Sequence, residues 1–104
     1  MDYQNFEQMI MDFTYQRNWD QYHNLKDLAL SLNLEASEVS EVFQWKDEKQ
    51  PLTNRETNDL EMELADVFIY LAYMCEKLHV TPLELAGKKM TINQGRTWKL
   101  DNNE

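Results

Sequence analysis

The sequence predicts an all-α chain of four helices, on three grounds. Only two Gly and two Pro stand among 104 residues, too few to turn many strands. Apolar residues recur three and four positions apart in four separate segments, the period of a helix with one buried face. Polar stretches that break this pattern divide the segments, with no internal repeat or low-complexity run. The length suits one compact domain, expected over residues 1–104.

The first helix is expected over about residues 2 to 17, with Asp2 as its cap and Tyr3, Phe6, Ile10 and Phe13 on one face. It stops near Asn18. After an irregular stretch holding Trp19 and His23, Asn24 caps a second helix to about Trp45. Its stripe reads Leu25, Leu28, Ala29, Leu32, Ala36, Val39 and Phe43. The polar run around Pro51 breaks the pattern. A third helix, from about Glu56 to Leu78, carries Leu60, Leu64, Val67, Phe68, Leu71, Met74, Cys75 and Leu78, which places Cys75 in the core. Thr81-Pro82-Leu83-Glu84 opens a fourth, with Thr as cap, Pro at the first helical position and Glu completing a capping box. It is expected to end near Gly95, before a tail with Trp98.

A hydrophobic fraction of 42% with 28% charged residues belongs to a soluble globular protein. The lone Cys75 excludes an intramolecular disulfide framework, and no stretch approaches the roughly 20 apolar residues of a membrane span. The acidic, amphipathic start is unlike a secretory signal, so a cytoplasmic setting is expected. A net charge of −9 repels nucleic-acid polymers. Three Trp, five Tyr, four Phe and six Met are more apolar bulk than a small monomer hides, which predicts at least a dimer.

Chemistry concentrates in two carboxylate pairs. Glu35 with Glu38, and Glu63 with Asp66, each stand three apart and so share a helix face. At about 100° per residue, each pair flanks its own helix's apolar stripe on the same rotational side, and antiparallel packing brings the pairs together. The levels agree as well, since 35 with 66 and 38 with 63 are both equidistant from a turn centred at Gln50 and Pro51. Four carboxylates at one core edge repel each other unless a cation neutralises them. An all-oxygen donor set suits Mg²⁺ or Mn²⁺ and invites a phosphate substrate. Glu41 stands off this edge and is kept as an assisting carboxylate. Lys89, Asn93 and Arg96 share one face of the fourth helix and could grip phosphates, or could serve only as a basic last turn that complements the helix dipole.

The run Glu35-Ala-Ser-Glu38-Val-Ser-Glu41-Val-Phe-Gln-Trp45-Lys46, followed by Glu63-Leu-Ala-Asp66-Val-Phe-Ile-Tyr70, resembles the all-α nucleotide pyrophosphatases of the MazG type, nearest to their short single-domain branch of dCTP pyrophosphatases. The likeness extends through Trp19-Asp20-Gln21-Tyr22-His23 and through Lys89-Met90-Thr91-Ile92-Asn93 to Arg96. Leu34 stands where many members carry a further Glu, and Gly95, Thr97 and Trp98 replace an Arg- and Tyr-rich tail, which leaves substrate choice open.

This resemblance implies a four-helix bundle that cleaves a nucleoside triphosphate, dCTP or another dNTP, to the monophosphate and pyrophosphate with Mg²⁺. Glu35, Glu38, Glu63 and Asp66 would be the ligands, and a carboxylate such as Glu38, with Glu41 assisting, would take the proton from the attacking water, the sequence leaving open which one is free of the metal. Trp19, His23, Trp45 and Tyr70 would form the base pocket, with Lys89, Asn93 and Arg96 on the phosphates. It also implies a homodimer or homotetramer. Related folds acting on dUTP or phosphoribosyl-ATP are alternatives within the superfamily. A non-catalytic acidic helical module, or a nucleic-acid mimic, is the alternative outside it.

Overall fold

Local capping sets the helix boundaries in the computed structural model, which describes residues 1–97. Asp2 Oδ1 accepts the Asn5 N–H at 2.8 Å and starts α1 (Tyr3–Gln16). Asn24 Oδ1 accepts the Asp27 N–H at 2.9 Å and starts α2 (Leu25–Glu41). α3 (Asn54–Lys77) begins two residues earlier than the periodicity suggests, because Thr53 and Glu56 form a full capping box at its start. α4 (Pro82–Gln94) has only half of the box expected there: Thr81 Oγ1 accepts the Glu84 N–H at 3.1 Å. A single 3-10 turn, Asp20–Tyr22, lies between α1 and α2. Trp98 falls outside the described residues.

The first and third helices end where the sequence places them, and there residues other than glycine adopt left-handed backbone. Asn18 (φ 57°) closes α1 and His79 (φ 59°) closes α3. In each case the following residue reaches back to the last turn, Trp19 N–H to Thr14 O at 3.0 Å and Val80 N–H to Cys75 O at 3.1 Å. The end of α2 comes at Glu41, a turn short of Trp45. Residues 42–46 continue in tighter turns, and Trp45 itself sits at φ 66°.

α2 and α3 pack as an antiparallel hairpin, α1 lies along α3, and α4 touches α3 lightly after the turn at His79. The small core consists of Ile10, Leu28, Ala72 and Tyr73, with Tyr3, Phe6, Met11, Ile69, Tyr70 and Met74 packed around it. Cys75 is buried as expected. The buried stripe of α3 is rotated from the one read off the sequence, however: Leu64, Phe68 and Leu78 are exposed, and so are Phe13 of α1 and Phe43 after α2. The cause is that α1 and α2 together cover the 69–72–73 side of α3, leaving Leu64 uncovered and Phe68 only partly shielded by Phe6.

A buried polar triangle ties α1 to α3. Thr14 is 0% exposed, and its Oγ1 lies 2.9 Å from Ile10 O and 2.8 Å from Tyr73 Oη, while Tyr73 Oη lies 3.1 Å from Ile10 O. Two hydroxyl protons serve these three contacts. Tyr73→Phe removes one donor and leaves Thr14 bonded to Ile10 O. It is expected to cost about 1 kcal/mol in urea unfolding, and an unchanged midpoint would contradict this account. No described helix is long and apolar enough to cross a membrane.

Candidate metal centre

The α2–α3 hairpin brings the acidic pairs together as the matched register predicts. One carboxylate oxygen from each of Glu35, Glu63 and Asp66 lies within 4.8 Å of the others. Glu38 completes the group through its hydrogen-bonding contact with Glu63 and its charge beside Glu35. As a carboxylate, Glu63 has a buried Oε2 that meets no donor. Protonated, it can hydrogen-bond Glu38. That bond, then burial, then the charges of Glu38, Asp66 and Glu35, push its pKa from 4.5 up to about 7. Glu35 is raised chiefly by burial, then by the charges of Glu38 and Asp66. An orphaned buried oxygen amid four carboxylates fits a hard divalent cation, which would take such oxygens as ligands.

Two cavities adjoin the cluster. The inner one, about 260 Å³, has Glu35 and Asp66 in its wall together with Phe13, Trp19, His23 and Tyr70. The outer one, about 360 Å³, shares Trp19, His23 and Tyr70 with it and adds Tyr22, Asp27 and Ser31. The rings brace each other: His23 stands 4.6 Å from Tyr73, and Tyr73 stands 6.0 Å from Tyr70, all edge-on. Arg17 covers the Phe13 ring at 3.7 Å, and Phe13 meets Trp19 edge-on at 5.6 Å. Burial, then the charge of Lys77, lower the His23 pKa against the opposing pull of Asp20, so the imidazole is neutral at pH 7. Burial and the nearby Glu35 raise that of Tyr70, with a hydrogen bond to Ser31 acting the other way.

Three of the four aromatic residues singled out in the sequence therefore converge. The fourth does not, for Trp45 is 94% exposed on the turn after α2 and lines neither cavity. Its left-handed backbone turns the chain away once the helix has ended. Glu41, the last residue of α2, is exposed and outside the three-carboxylate group. Lys89, Asn93 and Arg96 also stay apart from both cavities, because α4 departs from α3 after Thr81. Asn93 Oδ1 is buried there without a partner. Glu76 and His79 have Glu-x-x-His spacing, yet they line a different cavity with Tyr3 and Glu7, so no His joins the cluster.

Sequence reading missed Phe13, Tyr22, Asp27, Ser31 and Tyr73 as site residues. A signal existed for Asp27 and Ser31, which precede Glu35 at four-residue intervals and so share its helix face. For Phe13 and Tyr73 there was none, since an aromatic on a core stripe reads as packing.

A model of the MazG-like family matches residues 30–104. The chain is 35% identical over 98 residues to dCTP pyrophosphatase 1 of Homo sapiens, covering 89% of this chain and 57% of that protein. It is 32% identical over 97 residues to dCTP pyrophosphatase 1 of Mus musculus, with the same coverage. It thus spans little more than half the length of these curated relatives. The crystal structure of a pyrophosphatase from Archaeoglobus fulgidus superimposes with a TM-score of 0.74 at 31% identity, over 88% of this chain and 87% of that one.

Proposed function

The chain belongs to the MazG-like family, and from that premise we propose that it hydrolyses nucleoside triphosphates, dCTP or another dNTP, to the monophosphate and pyrophosphate. The observation that carries this reading is the buried, donorless Oε2 of Glu63 inside a carboxylate group that forms one wall of an aromatic cavity. Glu35, Glu38, Glu63 and Asp66 would hold Mg²⁺, with Mn²⁺ as a substitute. Bound there, the ion would neutralise phosphate charge and polarise the phosphorus under attack. Trp19, neutral His23 and Tyr70, which line both cavities, would stack on the base. A carboxylate such as Glu38, beside Glu63 at the cluster, would take the proton from the attacking water, with Glu41 one turn on as an assisting carboxylate. The four dNTPs with Mg²⁺ test this, read by product. Monophosphate with pyrophosphate is expected, and orthophosphate or no turnover would sink it. Carboxylates gathered at one edge do not suit a nucleic-acid mimic, which needs them spread over its faces.

A homodimer or homotetramer is part of the same proposal, with Trp45, Lys89, Asn93 and Arg96 serving a neighbouring subunit's site. The radius of gyration is 17.1 Å, whereas about 13 Å is expected for a compact chain of this length. A cavity of about 510 Å³ lined by Tyr3, Phe68, Leu71, Pro82, Leu83 and Ala86 stays open to solvent, and Leu83 is 82% exposed. A second copy covering this groove would complete the core. Light scattering should give at least twice the 12.5 kDa chain mass, and Leu83→Asp should shift the population toward monomer. A wild-type monomer at micromolar concentration would overturn it.

A further inference from the structure

Among the described residues in the wall of the outer cavity, Asp27 is the one that carries a charge, and the proposed hydrolysis does not use it. We propose that Asp27 is a specificity-determining residue, selecting nucleotides whose base carries an exocyclic amino group on its pairing edge, cytosine and adenine, over thymine and uracil. This rests on the reading that the site cleaves nucleoside triphosphates.

Placement on α2 carries the argument. Asp27, Ser31 and Glu35 follow one another at four-residue intervals, and Glu38 comes three residues later, so all four share one helix face. Asp27 and Glu35 are eight residues apart, about 12 Å of helix axis. The two cavities share Trp19, His23 and Tyr70, so they form one trough with the metal carboxylates at one end and Asp27 at the other. A nucleotide whose phosphates lie at Glu35 and Asp66 extends its base along the shared rings toward Asp27.

The chemistry of that end is one-sided. A carboxylate only accepts hydrogen bonds, and Asn24 holds this one in place: Asn24 Nδ2 donates to Asp27 Oδ2 at 2.8 Å, while the Asp27 N–H donates to Asn24 Oδ1 at 2.9 Å. One such bond leaves most of the carboxylate's accepting capacity for a ligand. Cytosine N4 and adenine N6 present N–H donors there, whereas the O4 carbonyl of thymine or uracil presents lone pairs against the carboxylate. Selection thus has an attractive and a repulsive part. Ser31, whose hydroxyl serves as donor or acceptor and bonds Tyr70, cannot discriminate in this way.

The test measures kcat/KM for dCTP, dTTP and dUTP with wild-type protein and with Asp27→Asn. Wild type should favour dCTP, and the substitution should lower the dCTP-to-dTTP ratio about tenfold, since an amide offers a donor where the carboxylate offers none. A change that only disturbed the start of α2 would lower both rates together, and an unchanged ratio overturns the proposal. So does a wild-type preference for dTTP or dUTP. If Asp27→Asn does not fold, Asp27→Ser is read in the same way. If wild type cleaves no triphosphate, the proposed activity fails, and calorimetric binding of dCMP against dTMP decides separately: tighter dCMP binding supports the role of Asp27, and equal binding overturns it.

Discussion

Glu63→Gln combined with Asp66→Asn should abolish hydrolysis while raising the melting temperature of the metal-free protein at pH 8. The two readouts should move in opposite directions, since the proposed metal ligands repel one another when no cation is bound. Without a cation, the oxygens of Glu35, Glu63 and Asp66 crowd within 4.8 Å, and Glu38 adds a further charge. Neutralising two of the four relieves repulsion, and the amide introduced at position 63 can donate where the carboxylate could not. The same substitutions remove two of the four proposed metal ligands, for which a loss on the order of 10³-fold or more in kcat/KM is expected. Mg²⁺ should raise the melting temperature of wild type and leave that of the double variant unchanged. Lower thermal stability in the double variant would show that these carboxylates brace the hairpin, and full activity would remove them from the site.

That this cluster and the core positions Ile10, Leu28 and Cys75 could be placed from sequence, while Trp45 and the burial of Tyr73 could not, has a physical origin. Helical period and antiparallel pairing are rigid constraints. Once α2 and α3 form a hairpin, residues 35 with 66 and 38 with 63 have to stand level. The caps at Asp2, Asn24 and Thr81 are equally local and equally legible. Three features depend on information that no window of sequence contains. α3 carries apolar residues on two flanks, and which flank the chain covers itself depends on where α1 lands, so Tyr73 went inside and Leu64 and Phe68 stayed out. α2 stops at Glu41 without a glycine to mark it, and Trp45, four residues on, takes the left-handed conformation that glycine adopts more readily. The Thr14–Tyr73 bond joins residues 59 apart in sequence, and periodicity cannot pair them. The departure of α4 is of the same kind, for its direction is set by the turn at His79 and not by its own pattern.

The stability of the metal-free protein should fall as pH rises through 7, and Mg²⁺ should remove that fall. Glu63 holds its proton up to about pH 7 in the fold, against an ordinary value of 4.5. The folded chain therefore binds this proton more tightly than the unfolded chain does. The stabilisation this gives is fully present below about pH 4.5 and is lost as pH rises through about 7. Glu35, also raised, acts in the same direction. His23 opposes them, since its lowered pKa makes the fold gain stability with rising pH up to its ordinary value of 6.5. The interval from about pH 6.5 to 8 accordingly isolates the carboxylates, and Glu63→Gln, which keeps His23, should flatten the curve there. Mg²⁺ binding requires the ionised form of Glu63, so it should release protons near pH 7, read by titration calorimetry in buffers of different ionisation enthalpy. The melting-temperature gain from Mg²⁺ should grow between about pH 6 and pH 8. A metal-free curve with the same slope in wild type and Glu63→Gln, or binding without proton release at pH 7, would mean that Glu63 is ionised before the ion arrives and that the cluster is less crowded than its geometry requires.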